Sequence, residues 1–199
     1  MKNLLLILFT LPVISYASGL KTILFLGDSL TEGYGIQKKY AYPEKIKSIL
    51  KNKAIESKIL NGGVSGSTTA SGKSRLRWFL KAKPEVMVLA LGANDGLRGI
   101  KVSESKKNLS EIIELAQKNN IKILLCGMQV PPNYGKSYAD DFQKMFKDLA
   151  KKYKLEFMPF LLKDIAGEKK LNIEDGVHPN EKGHQVLAEN LVSYLEKLL

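Results

Sequence analysis

The chain has 199 residues, 44% of them hydrophobic and 26% charged, with one cysteine, two histidines and a formal net charge of +11. That length suits one domain with a sizeable core, and a lone cysteine excludes an intrachain disulfide scaffold. The lysines are scattered through "QKKY", "KSILKNK", "KAK", "SKK" and "DLAKKYK", with no aromatic-plus-basic motif, so nucleic acid is excluded as a partner and solvated helix faces, with weak contact to anionic lipid, remain.

The first segment, "MKNLLLILFTLPVISYA", carries Lys2, then an apolar run from Leu4 to Ile14, then Ser15 and Ala17 three residues and one residue before a cut. That is the layout of a secretory signal at 1–17, cleaved after Ala17. A spanning helix needs roughly 20 apolar residues, and Pro12 interrupts a run about half as long. The expectation is therefore an exported protein, periplasmic or secreted, with residues 18–199 forming a single domain.

Beyond the signal, short apolar runs alternate with longer periodic ones. "TILFLG" (22–27) reads as a strand buried on both faces. "YPEKIKSILKNK" has Pro43 at a helix start and Ile46, Ile49 and Leu50 at helical spacing. "AIESKILN" is a second strand, and "SRLRWFLKAK" a short helix stopped by Pro84. "VMVLALG" is a third strand, followed by a helix in "SESKKNLSEIIELAQKNN" with Leu109, Ile112, Ile113 and Ala116 on one side. "IKILLCG" is the fourth strand, where Cys126 reads as a small buried hydrophobe. A helix in "DDFQKMFKDLAKKY", a fifth strand in "LEFMPF" and a closing helix in "EKGHQVLAENLVSYLEKLL" complete the order. Doubly buried strands alternating with helices specify a parallel sheet covered on both faces, a three-layer α/β/α sandwich. In such sheets chemistry gathers beyond the carboxyl ends of the strands.

The loops after those ends hold the candidates. "GDSLTEGYG" places Ser29 at the first strand's carboxyl end, where it either caps a helix or points its hydroxyl into the crevice. "NGGVSGSTTASGKS" imitates a phosphate-binding loop, but five residues separate Gly66 from Gly72 where four are required, so a tightly turning backbone explains its glycines better. "GANDGLRG" presents Asn94, either as a side-chain donor or in an Asx turn, with Asp95 ordering the loop. "EDGVHPNEKGH" holds both histidines. Asp175, three residues before His178, can hold that imidazole in one tautomer for general-base work. His184, in the first turn of the last helix, is expected at the surface or half-buried. Zinc needs about three protein ligands; with no HExxH and Cys126 on a distant strand, no metal site is expected.

Gly27-Asp28-Ser29-Leu30, Gly66 in "SGST", Gly92-Ala93-Asn94-Asp95 and Asp175-Gly176-Val177-His178-Pro179 stand in this order at strand ends. Together they resemble the GDSL, or SGNH, hydrolase family, whose marker residues are a serine, a glycine, an asparagine and a histidine. "GANDGLRG", "PPNYGKSY" and "DGVHPN" are similar to the branch of bacterial periplasmic acyl-CoA thioesterases, lysophospholipases and arylesterases. The resemblance implies a flavodoxin-like fold with Ser29 as nucleophile, His178 as base and Asp175 as its orienting acid. It also implies an oxyanion hole of the Ser29 and Gly66 N–H groups and the Asn94 amide. Expected substrates are small acyl esters or thioesters, with no cofactor and a monomeric enzyme. Gly-x-Ser-x-Thr around Ser29 departs from the Gly-x-Ser-x-Gly nucleophile elbow. Leu97, Ile100, Val130 and Tyr134, on loops after the third and fourth strands, are expected to shape an acyl site or to anchor those loops. A sugar-ester deacetylase and a non-catalytic carbohydrate- or lipid-binding module are the alternatives.

Overall fold

The computed structural model describes residues 19–199, so the expected signal at 1–17 lies outside the described residues. In chain order the elements are β1 (Lys21–Gly27), α1 (Ser29–Glu32), α2 (Tyr42–Asn52), β2 (Ser57–Gly63), α3 (Gly72–Phe79), β3 (Val86–Ala90) and α4 (Ala93–Leu97). They continue with α5 (Val102–Lys118), β4 (Lys122–Cys126), α6 (Lys136–Tyr153), β5 (Glu156–Met158) and α7 (Glu181–Leu195). The five strands form one parallel sheet in the order β2-β1-β3-β4-β5, the flavodoxin-like arrangement.

That order follows from the side chains. β3 is buried along its whole length and β1 from Ile23 to Gly27, which only a strand covered on both faces can be. Right-handed crossovers in opposite directions put helices on opposite faces: α2 packs on α7, while α3, α5 and α6 pack in a row. Phe142 and Phe146 of α6, Ile112 and Ile113 of α5 and Leu187 and Leu191 of α7 close the core over Phe25, Leu89 and Leu124. Cys126 is buried among them, and burial pushes its thiol pKa up.

The departures from expectation are local. α3 begins at Gly72 and passes into a 3₁₀ turn, Leu80–Ala82, before Lys83 turns left-handed at φ +48 ahead of Pro84. β5 has three residues instead of six: after Met158 O accepts the Gly127 N–H, the next bond to that strand comes from the Leu161 N–H to Gly127 O, one residue out of ladder register. α6 starts at Lys136, four residues before the expected Asp140. α7 gives way to a 3₁₀ turn at Glu196–Leu198. Asn94 sits on a five-residue helix, α4, not in an open loop.

The chain leaves β1 toward β2 and β3 toward β4, so the loops after these two neighbouring strands part company and leave a crevice between them. Ser29 lies at the end of one and Asn94 at the end of the other.

Candidate active site

Asp28 settles what Ser29 is free to do. Its Oδ1 accepts the Leu30 N–H at 3.1 Å, and its carbonyl accepts the N–H groups of Thr31 and Glu32. Asp28 is therefore the N-cap of α1, and Ser29 is the first helical residue, released from capping. The Ser29 N–H has no acceptor among the described residues. Asp28 is fully buried; burial raises its carboxyl to about 6, against the opposing pull of the Leu30 N–H, its own backbone N–H, His178 and Arg75. Arg75 braces the same turn by donating to the carbonyls of Gly27 and Gly62, tying the ends of β1 and β2.

Asp175 and His178 occupy the turn before α7. Asp175 Oδ1 accepts the N–H groups of Val177 at 2.8 Å and His178 at 2.9 Å, so its carboxylate folds back over its own loop. Oδ2 lies 2.6 Å from His178 Nδ1, and His178 Nε2 lies 2.9 Å from Ser29 Oγ. Partial desolvation pushes the Asp175 carboxyl up, but the two backbone N–H groups and the imidazole together outweigh it and hold the group down at about 2. An ionised Asp175 fixes the tautomer with a proton on Nδ1, leaving Nε2 to accept from the serine hydroxyl.

His184 departs from its expected surface or half-buried place. It is buried, and its Nδ1 accepts the Tyr42 N–H at 3.2 Å. The reason is the inward stripe of α7, where Gly183, His184, Leu187, Ala188 and Leu191 recur at helical spacing. Burial, then Lys45 and His178, lower its pKa to about 4, so it is neutral near pH 7.

The Gly-rich loop after β2 has acceptors for three of the four N–H groups in residues 64–67. Val64 N–H donates to Gly27 O, Ser65 N–H to Glu32 Oε2 at 2.8 Å, and Ser67 N–H to Val64 O. Only the Gly66 N–H in residues 64–67 has no acceptor among the described residues. Gly66 has φ +74, a conformation that favours glycine. Gly63 serves packing instead: a Cβ there would stand 2.2 Å from the Glu32 nitrogen of α1. The Asn94 amide donates to Ser67 O at 3.1 Å and lies 3.5 Å from Asp28 Oδ2. Asp95 orders its surroundings, accepting from Thr69 N–H at 2.9 Å, from the Thr69 hydroxyl and from Ser105 Oγ.

Ser29, Asn94 and His178 line one cavity of about 390 Å³, whose walls are mainly apolar. Gly66 is not in that lining and stands on the neighbouring loop. Of the four apolar residues named from the sequence, Leu97 and Val130 line the cavity. Tyr134 and Ile100 are loop anchors: Tyr134 Oη donates to Leu97 O, and Ile100 O accepts from Tyr138. Met128, Phe160 and Leu162 are further apolar residues of the wall and escaped sequence reasoning, since two of them follow β5, a strand that carries no motif. Tyr34 also escaped it. Its ring lies 4.7 Å from the His178 ring, centroid to centroid, and "GYG" was its only signal.

A model of the GDSL-like lipase/acylhydrolase family matches residues 25–186. The chain is 34% identical to an arylesterase of Vibrio mimicus over 98% of its own length and 97% of that protein. It is 30% identical to the thioesterase 1/protease 1/lysophospholipase L1 of Escherichia coli K12, over 96% of this chain and 91% of that one. The crystal structure of TesA superposes with a TM-score of 0.86 at 32% identity, covering 90% of this chain and all of the other. Shared sequence along nearly the whole length, on the same sheet, leaves one assignment: the chain belongs to the GDSL-like lipase/acylhydrolase family and is a serine carboxylic ester hydrolase.

Proposed function

We propose that this protein is an exported, single-domain, monomeric esterase that cleaves ester or thioester bonds of aliphatic acyl substrates through an acyl-enzyme on Ser29. The observation that carries the reading is the unbroken series Asp175–His178–Ser29, 2.6 and 2.9 Å, ending in the lining of a mainly apolar cavity. His178 takes the Ser29 proton as Oγ attacks the acyl carbonyl, and the carbonyl oxygen becomes an oxyanion. The N–H groups of Ser29 and Gly66, unpaired among the described residues, and one N–H of the Asn94 amide receive that charge. The alcohol or thiol departs with the proton from His178. Water, deprotonated by the same imidazole, then releases the acid.

The cavity favours an aliphatic acyl group over acetyl, because Leu97, Met128, Val130, Phe160 and Leu162 offer apolar surface that a two-carbon acid leaves uncovered. Lysophospholipids, acyl-CoA thioesters and aryl esters are the leaving-group classes to compare, and weak contact with anionic lipid belongs to the same proposal.

Fluorophosphonate is expected to label the protein at Ser29 and to spare Ser29→Ala. Asn94→Ala is expected to lose on the order of 10²–10³ in kcat with the fold intact. Unlabelled wild-type protein would turn the reading toward a binding module. A substrate panel that peaks at acetyl esters would turn it toward the sugar-ester deacetylase.

A further inference from the structure

The loop that presents Gly66 has little stiffness of its own. "NGGVSGSTTASG" is glycine, serine and threonine almost throughout, and such a backbone has many conformations to lose. Oxyanion stabilisation nevertheless requires donors fixed in place before charge develops, and a displacement of ~1 Å in a reacting geometry costs about a hundredfold.

Beside the bonds of Val64 to Gly27, Ser67 to Val64 and Asn94 to Ser67, two charged side chains that take no part in the chemistry hold the residues on either side of the Gly66 N–H. Glu32 Oε2 accepts both the Ser65 N–H, at 2.8 Å, and the Ser65 hydroxyl. Arg98 Nη2 donates to Gly66 O at 3.0 Å. One anchor therefore grips Ser65, the residue before the Gly66 N–H, and the other grips the carbonyl of Gly66 itself. Glu32 sits three positions after Ser29 on α1, a helix pinned by Asp28 and by the Gly33 N–H bond to Ser29 O. That helix is also seated on Gly63, where a Cβ would meet its backbone. The nucleophile and the carboxylate thus move as one body. The Ser65 hydroxyl and N–H lower the Glu32 pKa, which keeps the anchor charged.

We infer that Glu32, assisted by Arg98, is a positioning residue of ester hydrolysis: a clamp that locks the Gly66 N–H in register with Ser29. This rests on the proposed role of Gly66 as an oxyanion donor. Glu32 touches no substrate. Its effect passes through Ser65 to the donor beside it.

The test compares Glu32→Gln, Glu32→Ala and Ser65→Ala with the wild-type enzyme. Active sites are counted by fluorophosphonate titration, and an acyl trifluoromethyl ketone, whose tetrahedral adduct places an oxyanion in the hole, serves as probe. Glu32→Gln retains one acceptor oxygen and is expected to lower kcat per titrated site roughly tenfold, and Glu32→Ala up to about a hundredfold. Ketone affinity should fall in parallel while KM stays within about twofold, since ground-state contacts are untouched. Ser65→Ala keeps the N–H bond and should show a smaller loss, and adding it to Glu32→Ala should cost nothing further. The clamp is overturned if kcat per titrated site stays within twofold in both Glu32 variants, whatever happens to Tm. It is equally overturned if KM rises while kcat and ketone affinity hold. Should Glu32→Ala fail to fold, Glu32→Gln and Ser65→Ala decide the matter. Wild-type rates in Ser29→Ala or Asn94→Ala would sink the esterase mechanism itself. Inactive Ser29→Ala beside unaffected Glu32 variants would sink the clamp alone.

Discussion

Asp28 and His184 are buried titratable groups that pull stability in opposite directions as pH changes. The folded pKa of Asp28 is raised from 3.8 to about 6, so folding favours its protonated form. Its contribution is full below pH 3.8 and is lost as pH rises through about 6. The folded pKa of His184 is lowered from 6.5 to about 4, so folding favours the neutral ring. Its contribution is full above pH 6.5 and is lost as pH falls toward 4. Each swing is on the order of 3 kcal/mol, and the two nearly cancel across the same window. Removing one should expose the other. In urea melts between pH 4.5 and 7, Asp28→Asn should gain stability with rising pH more steeply than wild type. His184→Asn, which keeps an acceptor for the Tyr42 N–H, should show the reverse. Parallel curves for all three proteins would deny these shifts. Neither pKa could be read from sequence, because "GDS" and "EKGH" do not disclose how deeply their side chains will sit.

At the scale of elements, two glycines in one loop show where motif reading stops. Both Gly63 and Gly66 stand in "NGGVSGST", and only the fold separates their tasks. Gly63 admits α1 against β2, and Gly66 turns left-handed with only the Arg98 guanidinium, 3.6 Å away, near a Cβ. Gly63→Ala must therefore displace helix backbone and should destabilise by about 1–3 kcal/mol or more, reducing soluble yield. Gly66→Ala should cost about 1–2 kcal/mol of left-handed strain, leave the protein folded and depress kcat. Thermal melts and titrated kcat values together check the pair; a Gly63→Ala protein as stable as wild type would mean that α1 is not seated as described. β1, β3 and β4 were legible because burial on both faces writes a continuous apolar run, and α2 because Pro43 and its apolar spacing announce it. α4 was not legible, since five residues are too few to carry a period.

Across the whole molecule, the positive charge is uneven. Residues 64–84 hold Lys73, Arg75, Arg77, Lys81 and Lys83 and no carboxylate. Lys73 is paired with Glu111 and Arg75 is turned inward, while Arg77 and Lys81 face water beside Trp78, which is 67% exposed. Among the described residues no helix is long and apolar enough to cross a membrane. Tryptophan suits a membrane interface, and each nearby cation adds about 1 kcal/mol toward an anionic surface. Trp78 is the only tryptophan in the sequence and so reports on itself. Its emission should shift to the blue with phosphatidylglycerol vesicles at low salt, and should not with phosphatidylcholine vesicles. About 0.5 M salt should reverse the shift. Emission unchanged by either vesicle would strike lipid from the proposed partners.

The amino-acid sequence by itself determined the sheet, the order of its helices and the loops in which Ser29, Asn94 and the Asp175–His178 turn would lie. Those properties are local: periodicity, turn residues and a carboxylate three positions from an imidazole act over a few residues. The tertiary structure alone decided that His184 is buried against Tyr42, 142 positions away, and that His178 meets Ser29 across 149. It alone showed that Glu32 and Arg98 hold the Gly66 loop and which apolar residues wall the cavity. Such contacts depend on how helices settle on a twisted sheet, and no short stretch of chain encodes that settling.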